Sequence, residues 1–253
     1  MRRVQWAARL LWILLSPLLA YLLIMELVFG VWGFAGHEVD ERSELVLTAA
    51  GAAISLFPMG FWYRQGRKGK FRESSESRRR LRLTACSIAA GAGACLFFNG
   101  VLSLLPFSLE GYHRVSRVLY QPPPAVQLIC MGVVIPAGEE LVFRGLGYGR
   151  IRGELSVREA MAVSALWFGL YHGNLLQGIY AGLLGMLAAA FYEAGDCLWL
   201  CWLFHGTANV TAIAGTLSGR EEGFLASAEG RLASVILGGI LLLFCNEIRR
   251  DGK

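Results

Sequence analysis

The sequence predicts an all-α fold, a polytopic membrane bundle of about eight transmembrane helices. Three observations carry that reading. Of the 253 residues, 55% are apolar and only 17% charged, with a mean hydropathy of +0.48, whereas soluble domains usually carry about 25% charged residues. Uncharged runs reach 19 residues at Leu45–Tyr63 and 27 at Leu83–Leu109, against the roughly 20 that a bilayer span needs. The basic residues are clustered too: nine of the 24 Lys and Arg fall between Arg64 and Arg82, flanked by those two runs. A soluble enzyme of this size has no use for such runs.

The first span follows Met1-Arg2-Arg3. Its apolar run, Leu10 to Phe34, is too long for the core of a cleaved signal and lacks a small-x-small site, so it reads as a retained helix. Glu26, its single ionisable residue, reads as a structural group paired with a neighbour, the alternative being a place on a substrate path. Further spans are expected at about 45–63, 83–107, 124–148, 157–173, 175–192, 197–217 and 232–248. From Ala160 to Tyr192 there is no Asp, Glu, Lys or Arg. A single helix of that length would reach ~50 Å, so the chain has to turn, and His172-Gly173-Asn174 is the punctuation.

Eight spans put both termini on one side, and the charges choose which. With the N-terminus inside, the inner segments hold 18 Lys and Arg and the outer ones five, with Arg144 inside the fourth span. The positive-inside rule therefore predicts cytoplasmic N- and C-termini. The net charge of +5 and the pI near 9.0 then reflect the basic loop at 64–82 facing anionic lipid, not nucleic acid. Residues 111–120 place His113, Arg114 and Arg117 opposite Tyr112, Val115, Val118 and Leu119, the pattern of a short amphipathic helix lying in the interface. The organisation expected is thus 1–124 for three spans with the basic loop and amphipathic segment, 125–217 for helices four to seven, and 218–253 for the last helix and a basic C-terminus.

Several polar or special residues read as structural. The six cysteines (86, 95, 130, 197, 201, 245) all lie in or beside apolar segments and read as packing, with no disulfide framework and no zinc knuckle. Glu193 and Asp196, in a tight turn between spans, read as helix-end and interface residues. Trp6, Trp32, Trp62 and Trp199 read as interfacial anchors. Gly145, Gly147 and Gly149 are expected either to end the fourth helix or to permit close packing.

The fourth span carries three charges in six residues, Glu139, Glu140 and Arg144, each costing on the order of 3 kcal/mol in an apolar medium. Glu140 and Arg144 are four apart and pair on one helix face. Glu139, about 100° round the helix, is left without a partner in its own segment. Only two of the four histidines fall within spans: His172, and His205 with Asn209 one turn on. Together these groups suit hydrolysis. A carboxylate and an imidazole hold a water, the carboxylate taking its proton, while a second imidazole and an amide stabilise an oxyanion. The same set would alternatively ligate a Zn2+ ion through Glu139, His172 and His205.

Glu139-Glu140-x-x-x-Arg144, Phe168-x-x-x-His172 and His205-x-x-x-Asn209 resemble, in order and spacing, the three motifs of the CAAX-processing and bacteriocin-processing (CPBP, or Abi) intramembrane proteases, relatives of the type II CAAX prenyl endopeptidases. The resemblance covers roughly residues 125 to 215. It implies an intramembrane endopeptidase in which Glu139 is the general base and holds the water with His172. His205 and Asn209 would stabilise the oxyanion, and Glu140 and Arg144 would brace the fourth helix. The substrate implied is a membrane-embedded or lipidated protein or peptide, and the location a bacterial or archaeal plasma membrane. The family is described both as metal-dependent and as glutamate-type; no cofactor is favoured here, because Asn is a poor zinc ligand and the ligand set is sparse. The competing reading is a non-proteolytic immunity or scaffold protein on the same bundle, in which the polar groups are saturated and leave no room for a substrate carbonyl. A carrier is disfavoured by the lack of an internal repeat.

Overall fold

The computed structural model describes residues 2–66, 77–104, 110–218 and 227–250. Residues 67–76 of the predicted basic loop, 105–107 of the third predicted span, Arg220 and Lys253 lie outside them. The described residues form helices and no strand: α1 (Arg2–Phe34), α2 (Glu41–Gly66), α3 (Ser77–Leu102), α4 (Glu110–Tyr120), α5 (Pro124–Ile151), α6 (Val157–Tyr171), α7 (Leu175–Gly195), α8 (Leu198–Ser218) and α9 (Ala228–Arg250). The chain is an all-α integral membrane protein. Among the described residues five helices, α1, α2, α3, α5 and α7, are long and apolar enough to cross a membrane.

Local chemistry explains where the elements begin and end. Asp40 precedes α2 and accepts the Ser43 amide at 2.7 Å, satisfying one of the free N–H groups of the first turn. Pro124 opens α5, where a missing N–H costs nothing. Ser156 and Glu159 form a reciprocal capping box at the start of α6. The predicted break between α6 and α7 is there: His172 ends α6, Gly173 takes φ +72°, and Asn174 caps α7 by accepting the Gln177 amide at 2.9 Å. Asp196, at φ 47°, turns the chain from α7 into α8. The amphipathic segment is α4, fastened to α2 by Arg114–Glu44 at 2.8 Å and Arg117–Glu41 at 2.7 Å.

Inside a bilayer lipid is as apolar as leucine, so helices associate through close van der Waals contact and small residues mark the interfaces. Gly169 of α6 faces Gly178 of α7, and a Cβ on Gly169 would lie 2.6 Å from the Gly178 carbonyl oxygen. Gly91 of α3 abuts the Phe204 carbonyl of α8, Gly93 meets α9 at Gly238, and Gly206 of α8 presses on the Gly132 carbonyl of α5. The other surface is an apolar belt, with Leu23, Val31, Phe57, Leu166 and Leu243 among the exposed large side chains. The glycines after the acidic motif do not end α5, which runs on to Ile151. They serve packing: Gly145 lies against Tyr63 and Leu198, and Gly149 against Tyr192.

Glu26 departs from expectation. It is exposed on the outer side of α1, has no ion pair among the described residues, and takes no part in the central cavity. The six cysteines are free, five buried and Cys197 half-buried. Glu193 accepts from Tyr148 at 2.7 Å and pairs with Arg152 at 3.3 Å, which ties the end of α7 to the end of α5.

The Gly206 contact gives a direct test. Gly206→Val should lower stability by about 2 kcal/mol through overpacking and the midpoint of thermal unfolding in detergent by on the order of 5 °C. Gly33→Ala, where nothing lies within 4 Å of the added carbon, should leave it unchanged.

Candidate active site

Pro136 shapes the backbone of α5 around the site. Proline offers no N–H and its ring clashes with the carbonyl one turn back. The residues just before it, Cys130–Val134, form a wide π turn, a local widening found often at functional sites. Two carbonyls of this turn accept hydrogen bonds from α8. Trp202 Nε1 donates to Val133 O at 2.8 Å and Asn209 Nδ2 donates to Met131 O at 2.9 Å. Between them Gly206 lets α8 press on the same turn. Residues 202, 206 and 209 form a stripe on one helix face, and His205 sits within it.

That docking brings His205 over the two carboxylates carried by the α-helical stretch Ile135–Glu140. His205 Nδ1 lies 2.9 Å from Glu140 Oε1 and His205 Nε2 lies 3.8 Å from Glu139 Oε2. A carboxylate oxygen only accepts, so Nδ1 carries the proton and Nε2 is turned to Glu139. The predicted Glu140–Arg144 pair is formed, with Nη1 at 3.2 Å, and both side chains are buried, Arg144 completely. The sequence-based reading gave Glu140 to Arg144 alone. Its second role, orienting His205, needs the distance between two helices and was not visible in spacing along one.

Phe168, the first residue of the second motif, packs among these groups. The Arg144 guanidinium stacks over its ring at 4.3 Å, and its edge contacts reach His172 at 4.8 Å and His205 at 5.7 Å between centroids. His172 Nδ1 donates to Phe168 O at 2.8 Å. In the neutral ring that leaves Nε2 unprotonated as an acceptor. Glu139, His172, His205 and Asn209 all line one cavity of about 700 Å³, together with Tyr171 and Tyr180. The four residues picked out by pattern therefore line one cavity. Trp202 and Pro136 were missed, although a proline three residues before an acidic pair inside an apolar helix is a readable signal.

Residues 121–211 match the family model described as type II CAAX prenyl endopeptidase Rce1-like. The resemblance to the CPBP proteases holds over this stretch. The CPBP-like segment runs from the proline turn before α5 to Thr211 in α8 and so contains all three motifs. No curated protein and no solved structure matches the chain.

The metal alternative can be tested on the donors themselves. Among the described residues no three His, Cys, Asp or Glu side chains are arranged to hold a metal ion. Glu139 and His205 face each other at 3.8 Å, while His172 reaches the cavity from another helix. The Glu139–His205 spacing is close to that of two donors on one tetrahedral ion, and among the described residues no third donor is grouped with them.

The buried charges yield a second test. Glu140→Leu alone strands Arg144 and should cost about 3–5 kcal/mol, whereas the double variant Glu140→Leu/Arg144→Met should recover most of it. Thermal unfolding of the single and double variants in the same detergent measures the difference. A double variant no more stable than the single one contradicts the assignment.

Proposed function

We propose that the chain is an intramembrane endopeptidase that hydrolyses a peptide bond in a membrane-associated or lipidated polypeptide, with water activated by Glu139. The observation that carries this reading is the meeting of Glu139, His172, His205 and Asn209, drawn from three helices, at one cavity large enough for a peptide segment. The match to a protease family across the same residues supports it.

The hydrogen bonds suggest how the labour divides. Glu139 carboxylate and His172 Nε2 are both acceptors, and a water between them would offer one hydrogen to each, with its lone pair free for attack. Glu139 takes the proton as the water adds to the substrate carbonyl. The carbonyl oxygen gains negative charge and needs donors already in place. In its imidazolium form His205 donates at both nitrogens, Nδ1–H to Glu140 and Nε2–H to the oxyanion. Asn209 has one amide hydrogen on Met131 O and a second available to the same oxygen. The proton held by Glu139 then passes to the leaving amine, which completes the cleavage. No metal is required in this scheme. The Phe168 carbonyl and the Glu140 carboxylate each hold the Nδ1–H of one ring and so fix how the two rings face the cavity.

Wild type and Glu139→Gln, expressed to equal levels, should differ in the termini of host membrane and exported proteins seen by mass spectrometry. Termini found only with wild type identify substrates; identical sets favour the scaffold reading. On a substrate so found, Glu139→Gln should lower kcat by about 10²- to 10⁴-fold. Asn209→Ala should lower it by about 10²-fold or more. Addition of a chelator to the purified protein should leave the rate unchanged.

A further inference from the structure

The bundle has two chemically different ends, and the contacts between helices say which residues belong to each. Arg9 at the start of α1 pairs with Glu154 beyond α5 at 2.9 Å. Arg79 at the start of α3 donates to Ala194 O near the end of α7 at 2.9 Å. Arg150 at the end of α5 stacks over Trp62 near the end of α2 at 4.4 Å. These contacts gather the basic segments at one end. At the other end stand the start of α2, with Glu41 and Glu44, and the helix α4 paired to it.

The cavity belongs to the second end. Its deepest acidic and basic groups, Glu139 and His205, are 6% and 7% exposed. From there the lining passes to exposed Asn99, Ser103 and Arg114, and to half-buried Arg231 at the start of α9. Glu44, Arg114 and Arg231 line it, and none of Arg9, Arg79, Arg150 or Arg152 does. The way out of the site therefore runs past the ends of α3 and α4, away from the basic end. On the eight-span reading of the sequence, 18 basic residues fall on the side of the termini and five on the other, and the positive-inside rule puts the 18 in the cytoplasm.

We infer that the site opens to the outer, non-cytoplasmic face of the membrane, so that its substrate is an outward-facing polypeptide: an exported peptide, or the outer juxtamembrane segment of a membrane protein. The inference rests on the proteolytic reading for its substrate and on geometry and charge for its side of access. A soluble peptide tail in the cytoplasm would meet the bundle at the basic end, where the cavity has no lining residue of the clusters just described.

Cysteine labelling decides the side of access without a known substrate. Ser103→Cys and Asn99→Cys place thiols on exposed lining residues, and Gln65→Cys places one on an exposed residue at the basic end. The native cysteines are buried or half-buried, and the wild type measures their background. Intact cells expressing each variant are treated with a membrane-impermeant maleimide, then again after permeabilisation. Ser103→Cys and Asn99→Cys should label in intact cells, and Gln65→Cys only after permeabilisation. Labelling of Gln65→Cys in intact cells, or silence of both cavity variants until permeabilisation, overturns the inference. In the comparison of wild type with Glu139→Gln, cut sites should fall in outward segments, and cut sites in cytoplasmic segments overturn it as well. A chain that cuts nothing would still give the labelling pattern, so the two readings fail separately.

Discussion

Glu140 Oε1 is shared by two cations or potential cations from different directions, Arg144 at 3.2 Å on its own helix and His205 Nδ1 at 2.9 Å from α8. In an apolar bundle an isolated carboxylate is too costly to hold. The pairing with Arg144 makes Glu140 tolerable there, and an ionised Glu140 is what fixes the orientation of the His205 ring. The arrangement on the other face of α5 follows from this. With Nδ1 committed to Glu140, His205 turns Nε2 to Glu139, and the two groups are held 3.8 Å apart across the cavity wall. Arg144 in turn lies against Phe168, whose ring edges touch His172 and His205. A single buried carboxylate thus sets the positions of both histidines, one directly and one through an arginine and an aromatic ring.

The backbone contributes a second constraint. Carbonyls freed in a membrane-spanning helix cannot be left to lipid. Those of the turn before Pro136 are taken by Trp202 and Asn209, which fixes the height and rotation of α8 against α5. His205 lies between those two donors. Its place over the carboxylates therefore follows from a proline four residues ahead of Glu140 and from hydrogen-bond accounting. Asn209 combines this latching with its position at the cavity, so it holds the helix that carries His205 as well as facing the reacting space.

Much of this was legible in the sequence, because charge inside an apolar run is expensive and its spacing shows how it can be neutralised. Glu140 with Arg144 follows from a separation of four, and Glu139, His172, His205 and Asn209 stand out as polar groups inside apolar spans, of which only His172 has a partner in its own helix, the Phe168 carbonyl. The break at His172-Gly173-Asn174 was legible because one helix could not be that long. What stayed hidden depends on distances between helices. The Glu140–His205 bond, the Trp202 latch and the stacking of Arg144 on Phe168 join residues 24 to 69 positions apart in the chain, and nothing in periodicity encodes them. Glu26 shows the opposite failure: the sequence marks it as an anomaly in its helix, but which way it faces is decided by how α1 packs.

The shortness of α6 bears on how a peptide bond reaches this depth. Its 15 residues rise about 22 Å, less than the ~30 Å of hydrocarbon in a typical bilayer. The turn at His172–Asn174 therefore lies below the level at which a full-length helix would emerge. Irregular backbone at that level has to line a protein cavity or meet water, and a helix shorter than the hydrocarbon thins the bilayer beside it. A bilayer that matches α6 is therefore thinner beside the site than one that matches the helices long enough to span it. On the proteolytic reading, a substrate strand unwound there keeps part of its hydration until its carbonyl is beside Glu139, which shortens the dry stretch that an open peptide bond must cross.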